Sequence, residues 1–390
     1  MATIVDYEVF EVPPRWLFLR LETSDGIVGW GEPTLVGHGN VVAAVVHDLM
    51  TNYIIGNEAS RIQDHWQAMY RSGFYRGGPH HMSAISGIDQ ALWDIKGKEC
   101  GKPVYELLGG LVRDRVRAYQ WIGGDLQSGL ESLGSDLKTA AEESLDAGFS
   151  SVKIAGSPTL RHVDTPAKVD TLVDKVALVR DTVGTNVDIG VDLRGRATPA
   201  MAERLIEAIE PYSPMFVEEP VLPEHGHALS DLAKSTSVPI ATGERLYSQS
   251  DFRPLLANGS VDIVQPNISQ LGGITETKRV IDMAYGFGVP ATIDSPYGPI
   301  SHAAGLQVDF ACWNVLLQQQ SLERNFDEES ESSYVRNRSA LRCVDGYFEP
   351  TTKPGLGVDI DVETVREQSA VNVKWNVPVR RNDDGTIADW

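Results

Sequence analysis

Cysteine is nearly missing from this chain, with only Cys100, Cys312 and Cys343 among 390 residues. Widely separated, odd in number and in no metal-ligand spacing, they indicate neither a disulfide framework nor a zinc site. Long apolar runs are missing too. None approaches the roughly 18 residues needed to cross a bilayer, and the opening Met1-Ala-Thr-Ile-Val-Asp6 lacks the basic segment and apolar core of a secretion signal. A soluble, cytoplasmic protein is expected. Positive charge is scarce: 34 Lys and Arg stand against 54 Asp and Glu, a formal net charge of −20. That balance argues against nucleic acid and anionic membranes as partners. The acids are scattered, as in Asp327-Glu328-Glu329 and Asp383-Asp384, with no long block that would mark an acidic binding tail. A halophilic, salt-screened solvation shell is the expected reading.

What is there is organised in two styles. Alternating apolar runs at Ile4 to Val12 and Trp16 to Glu22, the turn Ser24-Asp25-Gly26 and the run Ile27 to Trp30 predict an antiparallel meander. Helical patterns follow at Val41 to Met50, Ile62 to Tyr70 and Ser83 to Lys98. Residues 1–115 thus read as an α+β domain. From Val116 onward, short β-branched runs alternate with amphipathic helices, as in successive βα units around a parallel sheet. The predicted strands are Val116 to Trp121, Ser151 to Ala155, Val187 to Leu193, Met215 to Val221, Val238 to Glu244, Val261 to Ile268, Val289 to Asp294 and Trp313 to Gln318. Eight strands fit a closed barrel over 116–344. Helices are expected at Ser135 to Ala147, Ala167 to Thr182 and Thr275 to Phe287, and another where Thr198 and Pro199 supply an N-cap and an N1 proline. The remainder, 345–390, is too small for a core of its own and is expected to complete the N-terminal domain.

Three acids fall at or just past three successive strand ends: Asp192, Glu218 and Glu244, with 26 residues from each to the next. One βα unit takes about that length, so the carboxylates are expected side by side at the C-terminal mouth, where barrel active sites are built. Any single strand-end acid is more simply read as a helix cap or an ion-pair partner. Three in register call for a cation, and an oxygen-only donor set suits Mg²⁺ better than zinc or copper. Such an ion is a Lewis acid toward a substrate carboxylate.

The register, with Pro14-Arg15-Trp16, Gly29-Trp-Gly-Glu-Pro33, Gly73-Phe-Tyr-Arg-Gly-Gly-Pro79, Asp89-Gln-Ala-Leu-Trp-Asp-Ile-Lys-Gly97, Leu108-Gly-Gly-Leu-Val-Arg-Asp114, Gly272-Gly-Ile-Thr-Glu276 and the Pro354 segment, resembles the mandelate racemase branch of the enolase superfamily. The likeness covers nearly the whole chain and is nearest to galactonate dehydratases. It implies an α/β fold: a (β/α)7β modified TIM barrel under an α+β capping domain built from both ends of the chain. It also implies Mg²⁺ on Asp192, Glu218 and Glu244, abstraction of the proton α to a carboxylate, loss of a β-hydroxyl, and a homo-oligomer between dimer and octamer.

The resemblance breaks at the acid–base groups. Where the family carries a histidine two residues after the first metal-binding aspartate, this chain has Arg194, which is no ordinary proton donor. The family's histidine base and its aspartate partner correspond to Asp294 and Asn267, and the usual eighth-strand glutamate to Gln319. Of a lysine pair used elsewhere in the superfamily only Lys153 is present, either orienting an anion or pairing at the surface. An ordinary aspartate, with a pKa of about 3.9 against about 6.5 for histidine, is a weak base. Burial would raise Asp294, whereas Mg²⁺, Arg194 and Asn267 would lower it. Arg194 and Arg196 suit clamping an anion, Arg196 equally an ion pair. His38, Tyr75-Arg76 and His80-His81 lie on segments that in relatives close over the substrate; each is a candidate for the missing proton transfer or simply a solvated loop residue, and His38, Tyr75 and Arg76 join the candidate substrate-binding set. Three readings stand: a Mg²⁺-dependent dehydratase of a small-molecule sugar acid, an epimerase or other enolate enzyme on an anionic sugar acid, or a metal-binding homo-oligomer without catalysis.

Overall fold

A computed structural model describes residues 2–125, 130–131, 134–156, 159–320, 334–371, 376–377, 379–382 and 384–389. The acidic run Asp327-Glu328-Glu329 and Asp383 lie outside the described residues. The N-terminal unit is a three-stranded antiparallel sheet, Ile4–Val12, Trp16–Thr23 and Val28–Gly31, with Phe10 opposite Phe18 and Leu19 opposite Gly31. The apolar face of this sheet packs on the long helix Pro79–Cys100, together with Gly39–Leu49 and Ile62–Arg71. Helix and third strand meet backbone to backbone. A Cβ added at Gly31 would sit 1.8 Å from the Gly87 carbonyl oxygen, so only hydrogen fits there.

Within that interface Asp94 gathers three segments. Its carboxylate accepts the Trp30 N–H at 3.0 Å, the Lys98 ammonium at 2.7 Å and the Leu356 N–H at 2.9 Å. The last of these ties the segment beyond the barrel to the N-terminal unit.

The second body is a parallel sheet curled into a barrel. Val116–Trp121 pairs with Ser151–Ala155, which pairs in turn with Asp188–Asp192, Phe216–Glu218, Ile240–Thr242 and Ile263–Val264. Parallel bridges from Val264 to Ala291 and from Ala291 to Val315 carry the ring on to Gln318–Gln320, which pairs with the first barrel strand. The enolase-type barrel is thus the observed architecture. The seventh strand, expected over Val289 to Asp294, shrinks to bridges at Ala291 and Asp294, and the sixth is only Ile263–Val264. Pro266 and Pro290 interrupt the ladders there, because proline has no N–H to donate. The eighth strand begins later than expected, since the exposed Trp313 and the half-buried Asn314 form a turn. Asn314 holds that turn by donating its amide to the carbonyls of Ile281 and Val289.

The helices wrap the barrel much as their apolar stripes require: Gly134–Asp146, Pro166–Val183, Pro199–Ile209, Gln249–Ala257, Gly273–Gly286 and Pro299–Ala311. Thr198 does occupy the N-cap position before Pro199, but its hydroxyl donates to the His162 carbonyl at 2.7 Å rather than capping the helix.

Candidate active site

The barrel register sets the site. Asp192 lies directly opposite Glu218 across one strand pair, Glu218 lies opposite Ala241 across the next, and Glu244 follows that strand by two residues. All three line a cavity of about 310 Å³ with Lys153, Arg194, Arg245, Asp294 and Gln319. The N-terminal unit reaches the same cavity through Arg15 and Val36, and Val377 contributes from near the end of the chain.

Each carboxylate faces a cation of the chain itself. Lys153 is buried and donates to both oxygens of Glu218 at 2.8 Å, and Gln265 donates to the same carboxylate at 2.7 Å. Asp192 accepts the backbone N–H of Arg194 at 2.8 Å and sits 3.7 Å from its guanidinium. Glu244 sits 3.7 Å from the Arg245 guanidinium. Among the described residues no group of three or more His, Cys, Asp or Glu side chains is gathered as a metal-holding cluster. The carboxylates share a cavity, each drawn toward its own cation.

Burial dominates their electrostatics. Desolvation pushes the Glu218 carboxyl up to about 7, with Lys153 opposing and Asp192 and Glu244 reinforcing. Desolvation and the charge of Glu219 take Glu244 to about 7 as well. Crowded buried carboxylates that hold protons this tightly are what a divalent cation would relieve. The other acid of the Glu218-Glu219 pair turns away. At φ 44°, Glu219 accepts the Thr242 hydroxyl at 2.5 Å and the Gly243 N–H at 3.0 Å, fixing the turn that carries Glu244.

The seventh-strand side of the cavity holds the altered acid–base pair. A parallel bridge sets Asn267 beside Asp294, and the Asn267 amide donates to Asp294 at 2.7 Å. The amide cannot turn over, because its oxygen accepts the Ser269 N–H at 3.0 Å. Asp294 is buried, and desolvation lifts its carboxyl well above the usual carboxylate range. Glu244 pushes the same way, while Lys153 and Asn267 oppose. Burial outweighs the lowering influences of Lys153 and Asn267 on Asp294. Gln319 is oriented similarly: its side-chain oxygen accepts the Tyr119 hydroxyl at 2.8 Å.

Arg194 adopts a left-handed backbone (φ 56°) and lies 5.3 Å over the Trp121 ring, a cation–π placement. Lys153 lies over Tyr119 and Trp121 at 5.1 and 5.5 Å. The other residues singled out from sequence fall elsewhere. Arg196 is buried but outside the cavity lining; Tyr75 is 90% exposed, and Arg76 and His38 are exposed. His38 meets His80 ring to ring, with nitrogens 3.1 Å apart. The sequence reading missed Gln265, Arg245, Trp121, Tyr119, Gln270 and Tyr297. Gln265 was within reach, two positions before Asn267 on the same strand end, and Arg245 directly follows Glu244.

Residues 136–365 match the enolase C-terminal domain-like family, and residues 13–109 match the N-terminal domain of the mandelate racemase/muconate lactonizing enzymes. The chain belongs to the mandelate racemase/muconate lactonizing enzyme family. Within it, D-galactonate dehydratase of Ralstonia pickettii (strain 12J) is 47% identical over 383 residues, covering 98% of each chain. D-galactonate dehydratase of Pectobacterium atrosepticum is 45% identical over 99% of this chain and 100% of that one. Among solved structures, a mandelate racemase/muconate lactonizing enzyme from Sulfitobacter sp. superposes with a TM-score of 0.90 at 27% identity, over 100% of both chains. In this family member, the barrel mouth under the N-terminal domain is therefore the place to look for chemistry.

Proposed function

We propose that this protein is a Mg²⁺-dependent acid-sugar hydro-lyase of the D-galactonate dehydratase kind. The supporting observation is one cavity lined by Asp192, Glu218 and Glu244 from neighbouring strand ends, together with Lys153, Asp294 and Gln319. The all-oxygen donor set and the raised carboxyls fit Mg²⁺, which when bound would polarise the substrate carboxylate as a Lewis acid. Gln319 offers its N–H₂ to that carboxylate, and Lys153 orients Glu218.

Asp294 is the proton-transfer group. Its Oδ2 is held by Asn267, so Oδ1 is the oxygen to take the proton α to the carboxylate. Arg194 gives up no proton at neutral pH, and its fork serves to hold an oxygen of the substrate. The proton taken by Asp294 therefore returns to the departing β-hydroxyl. One C–H and one C–O bond break, water leaves, and the enol product ketonises to a 2-keto-3-deoxy acid.

Supplying a panel of five- and six-carbon aldonates with Mg²⁺ and assaying 2-keto-3-deoxy products tests this; silence across the panel would sink it. No histidine is among the described residues that line the cavity, which favours one second reading, α-proton abstraction without elimination, as in epimerisation. Solvent deuterium appearing at the α-carbon without keto product identifies that case, and no exchange at all identifies a non-catalytic binding protein. An Asp294→Asn variant that exchanges as fast as wild type removes Asp294 as base. Glu218→Gln should weaken Mg²⁺ binding, and undiminished binding would refute the metal assignment.

The same proposal places the enzyme in the cytoplasm of a salt-rich cell, as a homo-oligomer between dimer and octamer. Its net charge of −20 supports the salt adaptation. No helix among the described residues is long and apolar enough to cross a membrane.

A further inference from the structure

One buried acid is absent from the chemistry above. Glu32, within Gly29-Trp-Gly-Glu-Pro33, directly follows the third strand of the N-terminal sheet, and its carboxylate is fully buried against the barrel. It accepts the Gly298 N–H at 2.6 Å and the Ser301 N–H at 2.9 Å, two donors at the start of the helix Pro299–Ala311. The Thr34 hydroxyl donates to it at 3.2 Å, and its own N–H donates to Gln90 at 2.8 Å. A Cβ added at Gly298 would lie 2.8 Å from both Glu32 oxygens, so the fit is close.

The location gives this contact its meaning. Gly298 is four residues past Asp294, and the intervening Pro296 and Tyr297 are cavity walls. The barrel holds the other end of this loop through the Asp294 N–H to the Pro266 carbonyl and through Asn267. Tyr297 is held by Gln270 at 2.5 Å, and Ser301 by Ser269 at 2.8 Å. On the other side of Glu32, Val36 is four residues away and is also a cavity wall. One carboxylate thus joins the N-terminal loop over the cavity to the barrel loop that carries the proton-transfer group.

We propose that Glu32 is a positioning residue: it locks the 294–298 loop to the N-terminal domain so that Asp294 and Tyr297 face the substrate in one geometry. This inference rests on the reading of Asp294 given above. Burial pushes the Glu32 carboxyl up to about 7, against the lowering effect of its backbone donors, so the contact is held at a desolvation cost that bare helix capping would not need.

The test compares Glu32→Ala and Glu32→Gln with wild type, each checked for folding by circular dichroism. The Gly298 and Ser301 amides donate to different oxygens of Glu32, so Glu32→Gln keeps an acceptor for one of the two. Hydrogen exchange should show the 295–301 peptide of Glu32→Ala losing protection while the other barrel peptides keep theirs. Turnover, or α-deuterium exchange, should fall about 100-fold in kcat with KM moving much less, as a misplacement near 1 Å produces. Glu32→Gln should recover part of that loss, and Mg²⁺ affinity should stay at the wild-type value in both variants. Unchanged protection of 295–301, or local loosening with kcat unchanged, would overturn the proposal. If wild type turns over no sugar acid, the function proposed above has failed, and Glu32 is then judged by sugar-acid affinity: a Glu32→Ala value equal to wild type overturns it, and a tenfold loss partly recovered by Glu32→Gln sustains it.

Discussion

Replacing Lys153 by methionine gives the sharpest view of how the carboxylate cluster is held. Methionine matches much of the lysine stem but removes the buried cation that donates twice to Glu218 at 2.8 Å. What is left for Glu218 is the Gln265 amide at 2.7 Å, with Asp192 and Glu244 still repelling it. Removing one member of a buried ion pair costs about 3–5 kcal/mol when the partner stays charged. Here the partner can accept a proton instead. Glu218 lies at about 7 with the lysine present, and losing the cation moves it higher. A carboxyl raised on folding contributes stability that is present below its unfolded pKa and lost as pH rises through the folded one. The Lys153→Met penalty should therefore be larger near pH 8 than near pH 6, by up to about 1.4 kcal/mol, because wild-type Glu218 is also protonated at the lower pH. Denaturant melts of both proteins at the two pH values, in constant salt, measure the difference. Added Mg²⁺ should stabilise the variant more than wild type, because a bound cation takes over the neutralising role of the lysine. A penalty under about 1 kcal/mol near pH 8, or one identical at both pH values, would refute this account of the cluster.

Glu32 yields a second pH effect: its carboxyl rises from 4.5 to about 7 on burial, so about 3 kcal/mol of stability is present below pH 4.5 and lost as pH climbs through 7. Glu32→Gln should flatten that part of the stability profile in denaturant melts. Gly31→Ala drives a methyl group to within 1.8 Å of the Gly87 carbonyl oxygen and should lower stability by about 3 kcal/mol or more, read from the same melts. Raising KCl from low to molar concentration should raise the melting temperature steeply before any Mg²⁺ is added, as expected for self-repulsion at a net charge of −20. A flat salt response would argue against the salt-adapted surface.

Most of the barrel was legible because burial on both faces writes itself as β-branched runs, and Ser151–Ala155 agrees with its predicted bounds residue for residue. The late strands were less legible. Proline at 266 and 290 leaves apolar composition intact while deleting ladder donors, so Val289 to Asp294 reads as a strand and folds as two bridges. The cavity carboxylates were visible from spacing alone, as a constant interval matches a constant βα repeat. Gln265, Trp121 and Tyr119 were not, since an isolated glutamine or aromatic in a strand has many other uses. Glu32 was hidden for a different reason: its partners are backbone amides 266 and 269 residues away, and a main-chain donor leaves no mark in the sequence.

The three-way contact at Asp94 also bears on the order of events during synthesis. Trp30 and Lys98 can find that carboxylate almost at once, whereas Leu356 lies 262 residues further along than Asp94. At about 5–20 residues per second, some tens of seconds separate those arrivals, and the whole barrel emerges in between. The N-terminal unit must wait, with one carboxylate oxygen unmet, for a segment made after the barrel it will cover. The N-terminal unit is completed only after the barrel it covers has been made.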